Sequence, residues 1–246
     1  MRCLILSDIH ANWEALEAVL ADAEGRYDRI LCAGDLVGYG ADPDRVVEWA
    51  RGEAPVLVRG NHDKVCAGLD DMEWFSPRAR ASAVWTLRAL SEASLEYLRY
   101  LPRGPLAVGS FQILHGSPLD EDEYVLAASD VRQIRPHLDC PLSFFGHTHL
   151  QGGFVEQRAG FEEIPAVPPQ AEEWTFEIPE ACLCLANPGS VGQPRDGDPR
   201  AAYALFSEEE GLLRYRRVRY DVEAAQAKIR RAGLPASLAD RLAEGK

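Results

Sequence analysis

Five short apolar runs in the first 150 residues each end on a polar cluster. Cys3–Leu6 leads into Asp8 and His10, and Ile30–Gly34 leads into Asp35. Val56–Val58, closed by Arg59 and Gly60, leads into Asn61, His62 and Asp63. Phe111–Leu114 leads into His115, and Leu142–Gly146 into His147 and His149. Continuous runs of this length read as strands that bury both faces. Between them the apolar spacing lengthens to that of helices. Asn12 caps a helix with Leu16, Val19 and Leu20 on one face, and Asp42-Pro43 starts another carrying Val46, Val47 and Trp49. Ser76-Pro77 opens a third through Val84, Trp85, Leu87 and Leu90. Ser91 restarts a helix through Leu95, Leu98 and Leu101 that Pro102 ends. A short helix around 130–138 precedes the strand at 142–145.

The second half has a different texture. From Gln151 to Leu185 strand-like pieces are broken by Ile164-Pro165-Ala166-Val167-Pro168-Pro169, a loop signal. Ala201–Phe206 and Leu212–Tyr220 form a β-hairpin pattern around Ser207–Gly211. The tail from Val222 to Gly245 is helical, interrupted at Gly233-Leu234-Pro235. No internal repeat or low-complexity segment is present. The pattern predicts an α/β fold with two sheets, helices outside and a β-rich C-terminal half. Residues 1–246 then form one domain, with 151–185 as a β-rich insert near the site that roofs it or makes a subunit contact.

Composition narrows the function classes. A chain of 246 residues, 46% hydrophobic and 26% charged, has the balance of an ordinary globular protein with a real core. The apolar run after Met1-Arg2 breaks at Asp8, too early for a secretory h-region, and no stretch reads as a membrane span. The expected location is cytoplasmic, with no membrane association. The six cysteines are scattered, so disulfides are not expected, and Cys182 and Cys184 read as small core residues. A net charge of −13 argues against general nucleic-acid binding. It also repels anionic substrates, so bound dications would have to supply local positive field. The 23 arginines against 3 lysines form no stripe along the chain.

Strands buried on both faces bring their ends to one rim of a sheet, where α/β folds bind ligands. That rim would gather aspartates, an asparagine and imidazoles, donor types for divalent transition metals. A metal-dependent hydrolase is the function this favours. The glycines at 34, 60 and 146 would permit tight turns and close backbone approach. Residues two apart share a face on an extended segment, which would pair Asp8 with His10 and His147 with His149.

In order along the chain stand Asp8-x-His10, Gly34-Asp35, Gly60-Asn61-His62-Asp63, an isolated His115, and Gly146-His147-x-His149. This series resembles the calcineurin-like metallophosphoesterase superfamily, specifically its small bacterial and archaeal phosphodiesterase-like branch. The resemblance implies an α-β-β-α sandwich with the metal site at the C-terminal strand ends. It implies two divalent transition metals (Mn, Fe, Ni, Zn or Co). Asp8, His10, Asp35 and His149 would hold one, and Asp35, Asn61, His115 and His147 the other. The bridging role falls to Asp35. His62 would be the general acid, protonating the leaving oxygen while a metal-bridging hydroxide attacks phosphorus in line.

Protein phosphatases of this superfamily carry Asp-Arg three and four positions after the bridging aspartate. Gly38 and Tyr39 stand there instead, which removes the usual partner of the acid histidine and leaves Asp63 as a substitute. The implied substrates are therefore small phosphodiesters or nucleotides. Alternatives are a dinucleoside polyphosphate hydrolase, a protein phosphatase, or a protein-binding scaffold like the superfamily's retromer subunit. The retained ligands and His62 disfavour the scaffold. The partner expected is a small phosphorylated molecule, and a homo-oligomer is compatible with the sequence.

Several segments carry two readings. Asn187–Asp196 resembles a loop of bacterial family members and either presents Arg195 to a substrate phosphate or is a structural turn. Trp74-Phe75 is a stacking lid or, preferably, core packing. Asp120–Glu123 is expected as a solvated loop, and His137 as a surface residue outside every motif.

Overall fold

The computed structural model describes all 246 residues. The first half lays down β1 (Arg2–Leu6), β2 (Arg29–Cys32), β3 (Val56–Leu57), β4 (Leu106–Val108), β5 (Phe111–Ile113) and β6 (Leu142–Phe144). Interleaved with them are α1 (Trp13–Ala23), α2 (Pro43–Glu53), α3 (Asn61–Cys66), α4 (Pro77–Ala89), α5 (Glu92–Arg99) and α6 (Ala128–Ile134). The second half adds β7 (Gly152–Gln157), β8 (Gly160–Ile164), β9 (Glu173–Glu177), β10 (Cys184–Asn187), β11 (Ala201–Ser207) and β12 (Leu212–Val218). It ends on α7 (Val222–Arg231), α8 (Ala236–Asp240) and a 3-10 turn over Arg241–Ala243. No helix is long and apolar enough to cross a membrane.

The strands form two six-stranded sheets, ordered β3-β2-β1-β11-β12-β9 and β4-β5-β6-β10-β7-β8. Each contains three neighbouring parallel strands: β1, β2 and β3 in the first, β5, β6 and β10 in the second. Alternation along β1 shows why the sheets pack as layers. Cys3 and Ile5 face inward onto Phe111, Phe144 and Phe206, with the Phe111 and Phe206 rings edge-on at 5.3 Å. Leu4 and Leu6 face outward onto Leu16 and Val19 of α1 and Val46 and Val47 of α2. The second sheet covers its outer face with Val131 and Ile134 of α6 against Leu114, Phe145 and Phe154. Each such fully buried side chain stabilises the fold by about 1.5–3 kcal/mol relative to exposure. The α-β-β-α sandwich implied by the motifs is present.

The helix starts occur as expected. Asn12, Ser76 and Ser91 accept from backbone N–H groups at the starts of α1, α4 and α5. Asp42 makes no such cap and instead pairs with Lys228 of α7 at 2.7 Å, because the C-terminal helix brings a cation to it. Three local features differ from the sequence reading. Asn61–Cys66 is a short helix, since Asp63 caps Gly60 N–H from the third helical position. The β4–β5 hairpin was not evident, because neither strand exceeds three residues. Ile164 belongs to β8, so the loop begins at residue 165. Residues 151–185 supply β7 and β8 to one sheet and β9 to the other.

Candidate metal centre

The C-terminal ends of the six parallel strands meet at one end of the sandwich. Asp8 and His10 follow β1, Asp35 follows β2 and Asn61 follows β3; His115, His147 and His149 follow β5 and β6. All seven side chains are buried. They form two groups whose candidate donor atoms lie within 4.8 Å of one another. One is Asp8, His10, Asp35 and His149; the other is Asp35, His115 and His147, with Asn61 Oδ1 3.3 Å from His115 Nε2. Asp35 belongs to both.

The donor set fits metal cations on its own chemistry. His10 Nδ1 lies 2.9 Å from Val37 O and His149 Nδ1 lies 2.5 Å from Gln193 O. Backbone carbonyls only accept, so each Nδ1 carries the proton and each Nε2 presents a lone pair. Those two Nε2 atoms are 3.1 Å apart. Asp35 Oδ2 is 3.5 Å from one and Asp8 Oδ1 3.4 Å from the other. Burial holds both imidazoles well below their ordinary pKa, so they are neutral. The two facing Nε2 lone pairs and the Asp35 carboxylate repel one another unless a cation lies among them. In the second group, His115 Nδ1 donates to Ala33 O at 2.7 Å and Nε2 sits 3.4 Å from Asp35. His147 uses Nε2 toward Asp122 O at 3.1 Å, leaving Nδ1 as its donor atom.

The electrostatics have the same origin. Burial pushes Asp8 up to about 7, reinforced by Asp35. Burial also disfavours charge on Asp35, yet His115 and His62 hold that carboxylate well below the usual range. Burial opposes charge on His115 too, but Asp35 and Asp8 beside it push the imidazole up to about 10. Burial takes His147 down to about 3.

Comparison with known proteins places the chain in a family. The Calcineurin-like phosphoesterase superfamily domain matches residues 1–211. The chain belongs to the calcineurin-like phosphoesterase superfamily. It is 34% identical to "uncharacterized protein MJ0912" of Methanocaldococcus jannaschii, over 98% of this chain and 97% of that protein. The crystal structure of a metallophosphoesterase from Sphaerobacter thermophilus is 40% identical, with a TM-score of 0.87, covering 100% of this chain and 99% of that one. Hypothetical protein PH1004 from Pyrococcus horikoshii shares the fold at 22% identity and a TM-score of 0.78, covering 100% and 98%.

Within this calcineurin-like frame, several sequence expectations need correction. The Asp-x-His and His-x-His pairs do not lie on extended backbone. Asp8, His10, His147 and His149 have φ of 53°, 50°, 67° and 60°, so left-handed turns aim each pair inward. Asp63 does not orient His62; its carboxylate accepts from Gly60 N at 3.0 Å and Val37 N at 3.1 Å. His62 is held by ring contacts instead, with Tyr39 at 4.5 Å, Phe75 at 4.6 Å and His10 at 5.0 Å. Its Nδ1 is buried without a partner, where a Cβ on residue 38 would come within 2.4 Å. Gly38 thus removes the aspartate and fills its space with imidazole. Burial holds His62 down to about 4.

The acidic segment 120–123 is a loop with Asp120, Asp122 and Glu123 exposed, as expected, but Glu121 departs from that reading. Glu121 is 6% exposed and takes a bidentate pair from Arg59 at 2.9–3.1 Å, while Lys64 reaches Asp122. Two basic side chains on the approach to α3 and along it draw the loop down over His147. Trp74 and Phe75 divide: Phe75 packs on His62, whereas Trp74 is 93% exposed. The loop after β10 is a structural turn of the centre, and it also carries Arg195 to the cleft. Ser190 Oγ donates to Asp8 O at 2.8 Å and Gln193 O receives His149, while Arg195 faces the cleft with Asp35 and His62. The carbonyls of Val37, Ala33 and Gln193 are positioning groups that sequence reasoning missed. Backbone acceptors leave no signature in residue type. His137 lies exposed in a 3-10 turn away from these groups.

Proposed function

We propose that this chain is a dinuclear metal-dependent phosphoesterase acting on phosphodiester or nucleotide substrates. The observation that carries the reading is the pair of buried donor groups sharing Asp35, with Nε2 lone pairs of His10 and His149 facing at 3.1 Å. Asp8, His10, Asp35 and His149 would hold one cation; Asp35, Asn61, His115 and His147 the other. Bound dications would neutralise phosphoryl oxygens and bring a water's pKa to around 7, supplying the nucleophile for in-line displacement.

The chain's own groups do the rest. Asp35 can serve both donor groups through Oδ2, which lies 3.5 Å from His10 Nε2 and 3.4 Å from His115 Nε2, while Oδ1 is anchored by His62 N–H at 2.9 Å. His62, lining the cleft between Tyr39 and Phe75, would protonate the leaving oxygen once a bound phosphoryl anion offsets the burial that otherwise keeps the ring neutral. Arg195 would hold a nonbridging phosphoryl oxygen. The acid histidine lacks a carboxylate partner and its neighbour is Tyr39 rather than arginine, which supports small substrates over phosphoproteins.

Hydrolysis of bis-p-nitrophenyl phosphate and of p-nitrophenyl phosphate with added Mn²⁺ tests this. Diester turnover should exceed monoester turnover and fall by about 10²–10⁴-fold in His62→Ala. A metal-loaded protein that hydrolyses neither ester would sink the assignment.

A further inference from the structure

Beyond the metal donors, the lining of the same cleft includes three arginines. The cleft holds about 420 Å³, and the three are Arg78, Arg195 and Arg241. These come from unrelated places: the first turn of α4, the loop after β10, and the 3-10 turn near the chain end. Although the chain carries 39 acidic residues, none pairs with any of the three. Arg195 reaches only Tyr39 Oη at 3.5 Å and Gln193 Oε1 at 3.4 Å, and its Nε is buried without a partner. Arg241 uses Nε on the backbone oxygen of Lys246, which leaves its terminal nitrogens without a protein acceptor. Burial, with Arg195 and Arg78 close by, holds Arg241 down to about 10. Like charges at the partly buried Arg195 and Arg241, with the exposed Arg78 near them, repel unless an anion completes them.

Two dications would already balance a single phosphoryl group. The arginines belong to neither donor group and offer forked donors suited to a further phosphate. On the cleft's lip stand Trp74, 93% exposed, and Tyr124, 47% exposed and stacked at 4.0 Å on His147. An exposed indole beside a phosphate-sized anion site suits a nucleobase.

We propose that Arg78, Arg195 and Arg241 form a subsite for a second phosphoryl group, so that the substrate is a nucleotide whose scissile phosphorus is anhydride-linked to another phosphate. The inference rests on the phosphoesterase reading of the metal centre. In hydrolysis, water forms the new P–O bond and the bridging P–O bond breaks. The electron pair leaves on the departing phosphate, which takes its proton from His62.

Calorimetric titration of manganese-loaded protein with AMP and with α,β-methylene-ADP, at fixed free Mn²⁺, reads the subsite without turnover. The diphosphonate should bind at least about tenfold tighter than AMP, a difference of about 1.4 kcal/mol. Arg241→Gln and Arg78→Gln should each reduce that ratio severalfold, and the double variant should bring it near unity. Arg78 is exposed, so its replacement does not endanger the fold. Equal binding of the two ligands, or a ratio that survives both substitutions, overturns the subsite even while bis-p-nitrophenyl phosphate is hydrolysed. Retained diphosphonate preference with no ester turnover would keep the subsite and sink the phosphoesterase reading.

Discussion

Asp8, His10, Asp35, His147 and His149 all hold φ between 50° and 67°, the left-handed region that side chains other than glycine seldom occupy. Each such residue costs on the order of 1–3 kcal/mol, and Asp and His are among the types that tolerate it best. Neighbouring backbone compels the conformation: Asp8 N donates to Gly34 O and His10 N to Asp35 O, both at 3.0 Å. Crowding is as tight as the turns. A Cβ on residue 60 would stand 2.1 Å from Asp35 Oδ1, although Gly60 itself has ordinary backbone angles. Gly60→Ala therefore has to move the shared carboxylate. We expect metal-dependent turnover to fall by about 10²-fold, as ångström misplacements do, with reduced metal content by elemental analysis. Full metal occupancy and turnover in that variant would mean Asp35 is free to shift.

At the scale of elements, the pairing between α3 and the 117–125 loop decides how the second metal group is closed. Arg59 and Lys64 flank the helix start, and Glu121 sits between them, 6% exposed. The loop then lays the Asp122 carbonyl and the Tyr124 ring on His147. Replacing Arg59 with methionine leaves the buried Glu121 carboxylate with only Lys64, 3.6 Å away. We expect a loss of about 3 kcal/mol, at the low end for broken buried pairs because Arg59 is 20% exposed. Thermal melting should report this as a drop of about 6–12 °C, much of it regained in Arg59→Met/Glu121→Gln. An unchanged melting temperature in the single variant would show that other contacts hold the loop.

Across the whole molecule, two sheets each contribute three parallel strand ends, and the metal centre belongs to neither alone. Apposing them gathers Asp8, Asp35, His115 and mutually repelling lone pairs in one buried volume. Folding without cations carries that repulsion, so metal binding and stability are linked. Saturation at a hundred times Kd contributes about 2.7 kcal/mol, and a domain of this size should melt about 5–10 °C higher with Mn²⁺ than after chelation. Equal melting temperatures with and without metal, in a protein shown to bind it, would contradict that linkage.

Periodicity alone determined the core strands and most helix starts, because burial on both faces and side-chain capping are written in residue type. Asn12, Ser76 and Ser91 were legible for that reason. So were the candidate ligands, since donor chemistry demands Asp, Asn and His at the ends of strands. Tertiary structure alone decided the backbone carbonyls that fix each imidazole, the left-handed turns that aim Asp8 and His10, and the burial of Glu121. It also brought together Arg78, Arg195 and Arg241, separated by 117 and 46 positions, where the linear sequence displays no basic stripe. Local pattern reports what one segment must bury; the meeting of distant side chains depends on how two sheets and a terminal helix pair pack, which no local pattern encodes.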